Sequence, residues 1–249
     1  MPAKTLTAKV AKRRDLTDDL FLLWLEPQSG GKFSFKPGQY CTIGTKGILR
    51  PYSIVSAPHE ECIELFVELV PHDLGGNLTP HLHTLKVGDS VDLMPRAKGV
   101  FTFDANFKNH VMVSTVTGVV PYVSMVRDYM HRKESGHKFF VLQGASYYDE
   151  FGYCDEFSEV VINRSNEIEL VYVPTVSRPH EHRNSMWYGE RGRVNEILED
   201  WLLEREECGE LSREDTLVYA CGHPGMIEDV KARLMPKGWD VKEERFWKK

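Results

Sequence analysis

The apolar pattern of this 249-residue chain changes period near its middle, and a fold built on one period cannot accommodate both halves. Up to about Asp104 the pattern is strand-like. "TLTAKVAK" alternates apolar and polar residues, "LFLLWLEP" is a short apolar run stopped by Pro27, and "FKPGQYCTIGT" places a Pro-Gly turn before a β-like run. "SIVSAP", "CIELFVELV", "SVDLMP" and "GVFTF" follow, separated by Gly, Pro and Asp. Short strands at this spacing predict a sandwich or small barrel, interrupted by one short helix near "LTPHLHTL". Beyond that point strand and helix alternate. "HVMVSTV", "KFFVLQGA", "EIELVYVP", "TLVYACG" and "WDVKEERFW" read as strands. "PYVSMVRDYMHRK", a mixed stretch to about Asn163, "RVNEILEDWLLERE" and "MIEDVKARLM" read as the helices between them. That rhythm predicts an α/β doubly wound parallel sheet. The expected domains are therefore residues 1–104 and 105–249. Open parallel sheets bind ligands at the carboxyl ends of their strands, which directs attention to the loops after Thr115, Gly144, Pro174 and Cys221.

Composition narrows the partners. A net charge of -6 argues against a nucleic-acid binder, whose affinity comes from basic surface. The charge is uneven: residues 1–100 carry 12 basic and 11 acidic side chains, the remainder 19 and 26, as two units with different surfaces would. Cys41, Cys62, Cys154, Cys208 and Cys221 are odd in number and contain no Cys-x-x-Cys pair, so neither a disulfide framework nor a paired zinc or iron–sulfur site is expected. The first residues contain no apolar signal region, and "LFLLWL" is far too short to span a membrane. A reduced, cytoplasmic location is the expectation. His81 with His83, and His180 with His182, stand two apart, but without a third ligand they are read as solvated loop histidines and no metal is expected.

Five short segments occur in order: "RPYSIVSAP", "GGNLTPHLHTLKVGD", "TVTGVVPYVSM", "VSRP" with "GRV", and "YACGHPGM". Each is weak alone. Together, on a barrel followed by a doubly wound sheet, they resemble the ferredoxin/flavodoxin–NADP reductase family of bacterial type over nearly the whole chain. The resemblance implies a six-stranded antiparallel β-barrel that binds FAD, an α/β doubly wound parallel sheet that binds NADP(H), and hydride transfer from NADPH to flavin N5. It also implies one-electron delivery by a monomer to an acidic carrier, ferredoxin or flavodoxin.

The residue types suit that chemistry. Tyr52 can stack on the flavin ring, the Ser53 hydroxyl can hydrogen-bond N5, and Arg50 supplies a fixed-charge fork for the pyrophosphate. All three are expected where a strand begins. Gly76 allows close backbone approach, and Thr79 is read as the N-cap of a phosphate-binding helix. Thr117 and Gly118 form the turn on the phosphate side of the second domain, with Pro121 in the first helical turn after it. Val116 and Val120 depart from the smaller residues of the family, and a β-branched Val116 is not expected at positive φ. The resemblance puts Cys221 beside nicotinamide C4, with Gly222 letting backbone approach. It gives Arg178 and Arg193 to the adenosine 2'-phosphate, although Ser146 stands where relatives often have another Arg. It places Phe246 and Trp247 against the isoalloxazine and adenine. These aromatics and the Gly76 loop favour FAD over FMN. Two alternatives stay open: an NADH-dependent or free-flavin reductase, or flavin subunit of a larger complex, and a non-enzymatic binding protein on the same fold.

Overall fold

In the first part of the chain, strands form where one face of an alternating segment can be buried. The computed structural model describes residues 5–28, 31–162 and 168–245. Strands β1 (Leu6–Asp15), β2 (Leu20–Pro27), β3 (Tyr40–Thr45), β4 (Ile48–Ser53), β5 (Ile63–Glu68) and β6 (Ser90–Leu93) pair antiparallel in the order β4-β3-β6-β1-β2-β5. Along β1, Ala8 and Val10 point inward between exposed neighbours; β2 is apolar on both faces and almost wholly buried. Past β4 the chain swings to β5: Val55 N donates to the Glu64 carbonyl at 2.9 Å, and Glu64 N donates to Ser56 Oγ at 3.1 Å. These bonds nearly close the sheet into a barrel, and closure removes most of the exposed edge.

Two expectations fail here. Arg50, Tyr52 and Ser53 do not begin a strand: they end β4, which starts at Ile48. The cause is a two-residue turn at Lys46–Gly47, both at positive φ (53° and 80°), which registers Thr45 against Ile48. Pro51 is tolerated because β4 is the first strand in the sheet order and has no partner on one side. "GVFTF" forms no strand. Its aromatics are anchored instead on helix α2 (Val120–His131), with Phe101 at 6.1 Å from Tyr122 and Phe103 at 5.8 Å from Tyr129 between ring centroids.

By contacts the chain divides into residues 1–103 with 120–131, and 104–119 with 132–249. Thus α2 packs with the barrel. Ser124 Oγ donates to the Ser56 carbonyl at 2.8 Å, and Arg127 pairs with the buried Glu64 carboxylate at 2.6 Å. The short helix α1 (Thr79–His83) is tied to β1 by Arg13, whose Nη1 donates to the Leu82, His83 and Leu85 carbonyls. This is side-chain capping of a helix C-terminus.

The second unit is one parallel sheet. Strands β7 (Asn109–Thr115), β8 (Lys138–Ala145), β9 (Glu169–Val176), β10 (Glu190–Arg191), β11 (Thr216–Gly222) and β12 (Asp240–Arg245) lie in the order β10-β9-β8-β7-β11-β12. The two-residue β10 has no apolar pattern and was not expected. Helices α4 (Val194–Glu207) and α5 (Pro224–Leu234) bury Leu198, Leu202, Ile227 and Val230 against Val111, Leu142 and Val218 on one face. Helix α3 (Cys154–Ile162) covers the other, with Phe157 at 5.1 Å from Tyr172. The chain leaves β7 for β8 and returns on the opposite side as β11, so the sheet reverses direction of growth at the β7/β11 pair. Such switch points are where open sheets bind ligands.

Candidate functional site

On the barrel, β4 presents three different chemistries in four residues. Arg50 is exposed, and its Nη1 donates to the Leu49 carbonyl at 2.8 Å. Tyr52 is half-buried against the barrel core, and burial raises its phenol well above the usual range although Arg50 opposes the shift. Ser53 is 8% exposed, and its hydroxyl makes no hydrogen bond among the described residues. A neutral ring, a fixed cation and a hydroxyl still able to donate therefore line one strand end. The nearby 70–79 segment is held by its own polar groups. Thr79 Oγ1 both accepts from Val70 N at 2.9 Å and donates to Val70 O at 3.0 Å, and His72 Nδ1 meets the Gly76 carbonyl at 2.8 Å. Thr79 is not an N-cap: that position is Leu78, whose side chain has no acceptor, and the Thr79 hydroxyl is spent on Val70. Gly76 is required for an internal reason, since a Cβ there would stand 1.6 Å from the Val70 carbonyl oxygen.

At the β7/β11 switch point two turns interlock. A Cβ on Gly118 would lie 2.2 Å from the Cys221 carbonyl oxygen, and one on Gly222 (φ +127°) would lie 2.4 Å from Thr115 Oγ1. His223 N donates to the same Thr115 hydroxyl at 2.8 Å. Thr115 was missed in the sequence because a strand-end Thr has an ordinary β-propensity explanation. Thr117 sits inside the turn, its hydroxyl unengaged among the described residues.

Val116 does adopt positive φ, 40°, against expectation. Its side chain packs with Ala145, Phe151 and Val176, and its carbonyl accepts from Gln143 Nε2 at 3.2 Å. Gln143 is fully buried and accepts in turn from the Tyr172 hydroxyl at 2.8 Å. Packing and this buried chain offset the strain of a β-branched residue in the left-handed region. Val120 is buried at the start of α2.

Cys221 is fully buried, and loss of solvation raises its thiol well above the usual range, so it stays protonated. Register puts Ser114 and Glu244 beside it on β7 and β12. Ser114 Oγ is buried without a hydrogen-bond partner among the described residues, and burial raises the Glu244 carboxyl. Ser114 and Glu244 were not singled out from sequence; only register brings them to Cys221.

The ends of β8 and β9 differ in kind. Arg178 lies two residues beyond Val176, and Arg193 two beyond Arg191, the residue paired with Val176. Both are exposed. Arg178 Nη1 donates to Tyr147 Oη at 2.9 Å, and Tyr147 donates to Glu181 Oε2 at 2.5 Å. The Arg193 side chain makes no hydrogen bond or ion pair among the described residues; its backbone is the N-cap of α4, the carbonyl accepting from Glu196 N at 2.9 Å and Ile197 N at 3.2 Å. Ser146 contributes backbone only: its N donates to Glu150 Oε2 at 2.8 Å. Phe246 and Trp247 lie outside the described residues. His81 and His83 fall in α1 rather than on a strand, His180 and His182 in the β9–β10 loop, and no group of three potential metal ligands occurs among the described residues. No helix among them is long and apolar enough to cross a membrane. All five cysteines are free thiols.

Comparison with known proteins fits both regions. The family model for the oxidoreductase FAD-binding domain matches residues 7–101, and that for the oxidoreductase NAD-binding domain matches residues 112–232. The chain is 27% identical to the flavodoxin/ferredoxin–NADP reductase of Buchnera aphidicola subsp. Schizaphis graminum, over 97% of this chain and 98% of that one. It is 29% identical to the ferredoxin–NADP reductase of Pseudomonas aeruginosa, over 80% and 78%. Its fold matches the crystal structure of a ferredoxin NADP+ reductase from Neisseria gonorrhoeae with bound FAD and NADP, with a TM-score of 0.81 at 22% identity, over 98% and 100%.

Proposed function

We propose, for a chain that belongs to the ferredoxin–NADP reductase family, an FAD-dependent oxidoreductase that passes electrons between NADPH and a one-electron carrier of ferredoxin or flavodoxin type. The observation that carries the reading is the interlocked pair of turns at the β7/β11 switch point, where Gly118 and Gly222 leave no room for side chains. The fit to FAD rests on β4, with its half-buried ring, exposed cation and unengaged hydroxyl side by side. When bound, FAD supplies a ring that accepts hydride at N5 and releases electrons singly.

The chain's own part is positioning. Tyr52 stacks on the flavin and Ser53 donates to N5. Arg50 binds the flavin phosphates, with Gly76 and Thr79 shaping the loop that follows them. Thr117, Gly118 and Gly222 offer backbone to the coenzyme. Cys221, a protonated thiol, packs beside the nicotinamide and is not a nucleophile. Arg178 and Arg193 meet the 2'-phosphate, and the family resemblance assigns Phe246 and Trp247, outside the described residues, to the flavin. The reading includes a cytoplasmic monomer and an acidic carrier protein as acceptor.

Mass spectrometry of the cofactor released from purified protein, followed by carrier reduction assays, tests this. FAD, and NADPH-dependent reduction of a ferredoxin or flavodoxin, are expected. FMN or no flavin would sink the cofactor assignment. Reduction of free flavin but of neither carrier would move the protein to the flavin-reductase alternative.

A further inference from the structure

We infer that Glu181 sets coenzyme choice, acting as a built-in competitor of the 2'-phosphate at Arg178 and Tyr147 and as an acceptor for an unphosphorylated ribose 2'-hydroxyl. The inference rests on the reading of this end of the sheet as the adenosine side of the coenzyme site. Its basis is how the charges there are already committed. Arg178 Nη1 donates to Tyr147 Oη at 2.9 Å and stands 3.6 Å from Glu181 Oε1. Tyr147 gives its one hydroxyl proton to Glu181 Oε2 at 2.5 Å, so it has none left for a phosphate oxygen. Arg183 lies over the Tyr147 ring at 4.2 Å, but its Nε and Nη2 are bound by Asp149 at 3.0 and 2.9 Å. The two arginines thus already face the carboxylates of Glu181 and Asp149, with Glu150 on the same turn, so the cluster has no excess positive charge to offer a dianion.

The arrangement is built rather than incidental. Asn184, 2% exposed, donates from Nδ2 to the carbonyls of Ser146 and Arg178, both at 2.9 Å, and accepts from Tyr148 N at 2.9 Å. Glu150 holds the same turn by accepting from the N–H groups of Ser146 and Tyr147. The loops after β8 and β9 are therefore fixed together, and Tyr147 and Arg178 are held in place before any ligand arrives. Arg178 and Glu181 remain about half exposed, 53% and 51%, so a ligand can reach them.

The chemistry of the two coenzymes differs only at this group. A 2'-phosphate must displace Glu181 from Arg178 or lie against a like charge, which costs affinity. A 2'-hydroxyl can donate to the carboxylate, as acidic residues do in NAD sites of parallel sheets. Glu181 consequently narrows a preference for NADPH that Arg178 and Arg193 would otherwise make large.

The test is calorimetric titration of the FAD-loaded protein with 2',5'-ADP and with 5'-ADP, for the unmodified chain, Glu181→Gln and Asp149→Asn. Gln keeps the size and the acceptor oxygen for Tyr147 but removes the charge. Glu181→Gln should tighten 2',5'-ADP by about tenfold without tightening 5'-ADP. The ratio of kcat/KM for NADPH over NADH should rise by the same factor. Asp149→Asn, which relieves Arg183 instead, should move the 2',5'-ADP constant less. An unchanged 2',5'-ADP constant in Glu181→Gln, or equal tightening of both nucleotides, would overturn the role of Glu181 while leaving the reductase reading intact. Failure of the unmodified FAD-loaded chain to bind either nucleotide would overturn both.

Discussion

Two stretches of one sheet edge are built by different forces. Where β7 and β11 end, the parts are neutral: a threonine hydroxyl, two glycines packed against backbone, and a protonated buried thiol. Where β8 and β9 end, the parts are charged and half exposed: Arg178 and Arg183 against Glu181 and Asp149 around Tyr147. The first stretch gets its geometry from steric exclusion, which neither salt nor a one-unit pH change affects. The second gets it from ion pairs that, at this exposure, contribute little to stability and are open to exchange with a ligand. Chemistry that needs a fixed distance belongs at the first, and discrimination between two coenzymes differing by a phosphate belongs at the second.

The largest effect that separates them comes from Gly222→Ala. The new Cβ would meet Thr115 Oγ1 at 2.4 Å on a backbone already at φ +127°. Overpacking and strain together should lower stability by about 2–5 kcal/mol, measured by urea unfolding. A loss under half a kcal/mol would show that this end is not held by exclusion.

Acid should act on this sheet at the other end of β7, away from the two turns. His110, fully buried near the start of β7, is pushed by burial to about 3 from its ordinary 6.5, with the neighbouring His137 adding to the shift. The folded state thus binds fewer protons than the unfolded one between pH 6.5 and 3. Its stabilising share is fully present above 6.5 and is lost as pH falls through that window. The slope approaches about 1.4 kcal/mol per pH unit, or about 2 kcal/mol by pH 5. His110→Phe, which keeps a ring against Phe139, should flatten the urea midpoint across the same window.

At the charged stretch, Arg178→Ala should weaken NADPH about tenfold, mostly in KM, because the phosphate is remote from the hydride. The Arg178 effect should shrink as salt is raised, whereas the Gly222→Ala loss should not. Equal effects of Arg178→Ala on NADPH and NADH would erase the distinction between the two ends.

The smallest effect is expected at Val116→Gly. Relief of strain at φ 40° is opposed by lost packing against Phe151 and Val176 and by glycine's entropy. The net change should stay within about 1 kcal/mol.

How much of this was legible follows the same division. The change of hydrophobic period yields both sheets, because period reports which face is buried. Gly118, Gly222 and Cys221 stand out in the sequence because glycine and a strand-end cysteine in short motifs carry a backbone argument. The position of Arg50–Ser53 at the end of β4 is set by the Lys46–Gly47 turn, which lies outside the motif that carries those residues. "GVFTF" has strand composition, but its aromatics find a helix. Gln143 was a readable anomaly, a polar residue inside the apolar run "KFFVLQGA". Tyr147, Glu181 and Asn184 left no local signal: their roles come from loops 30 or more residues apart being tied together. Ser114 and Glu244 depend on strand order, which one sequence does not state.

Single-turnover reduction of the purified FAD-loaded protein, mixed anaerobically with NADPH or NADH and followed by loss of flavin absorbance, puts the whole account at risk. Full bleaching by NADPH is expected, with a rate constant at saturation that falls roughly 10²-fold in Ser53→Ala with flavin retained. A flavin that NADPH does not bleach, or a Ser53→Ala rate equal to that of the unmodified protein, would contradict it.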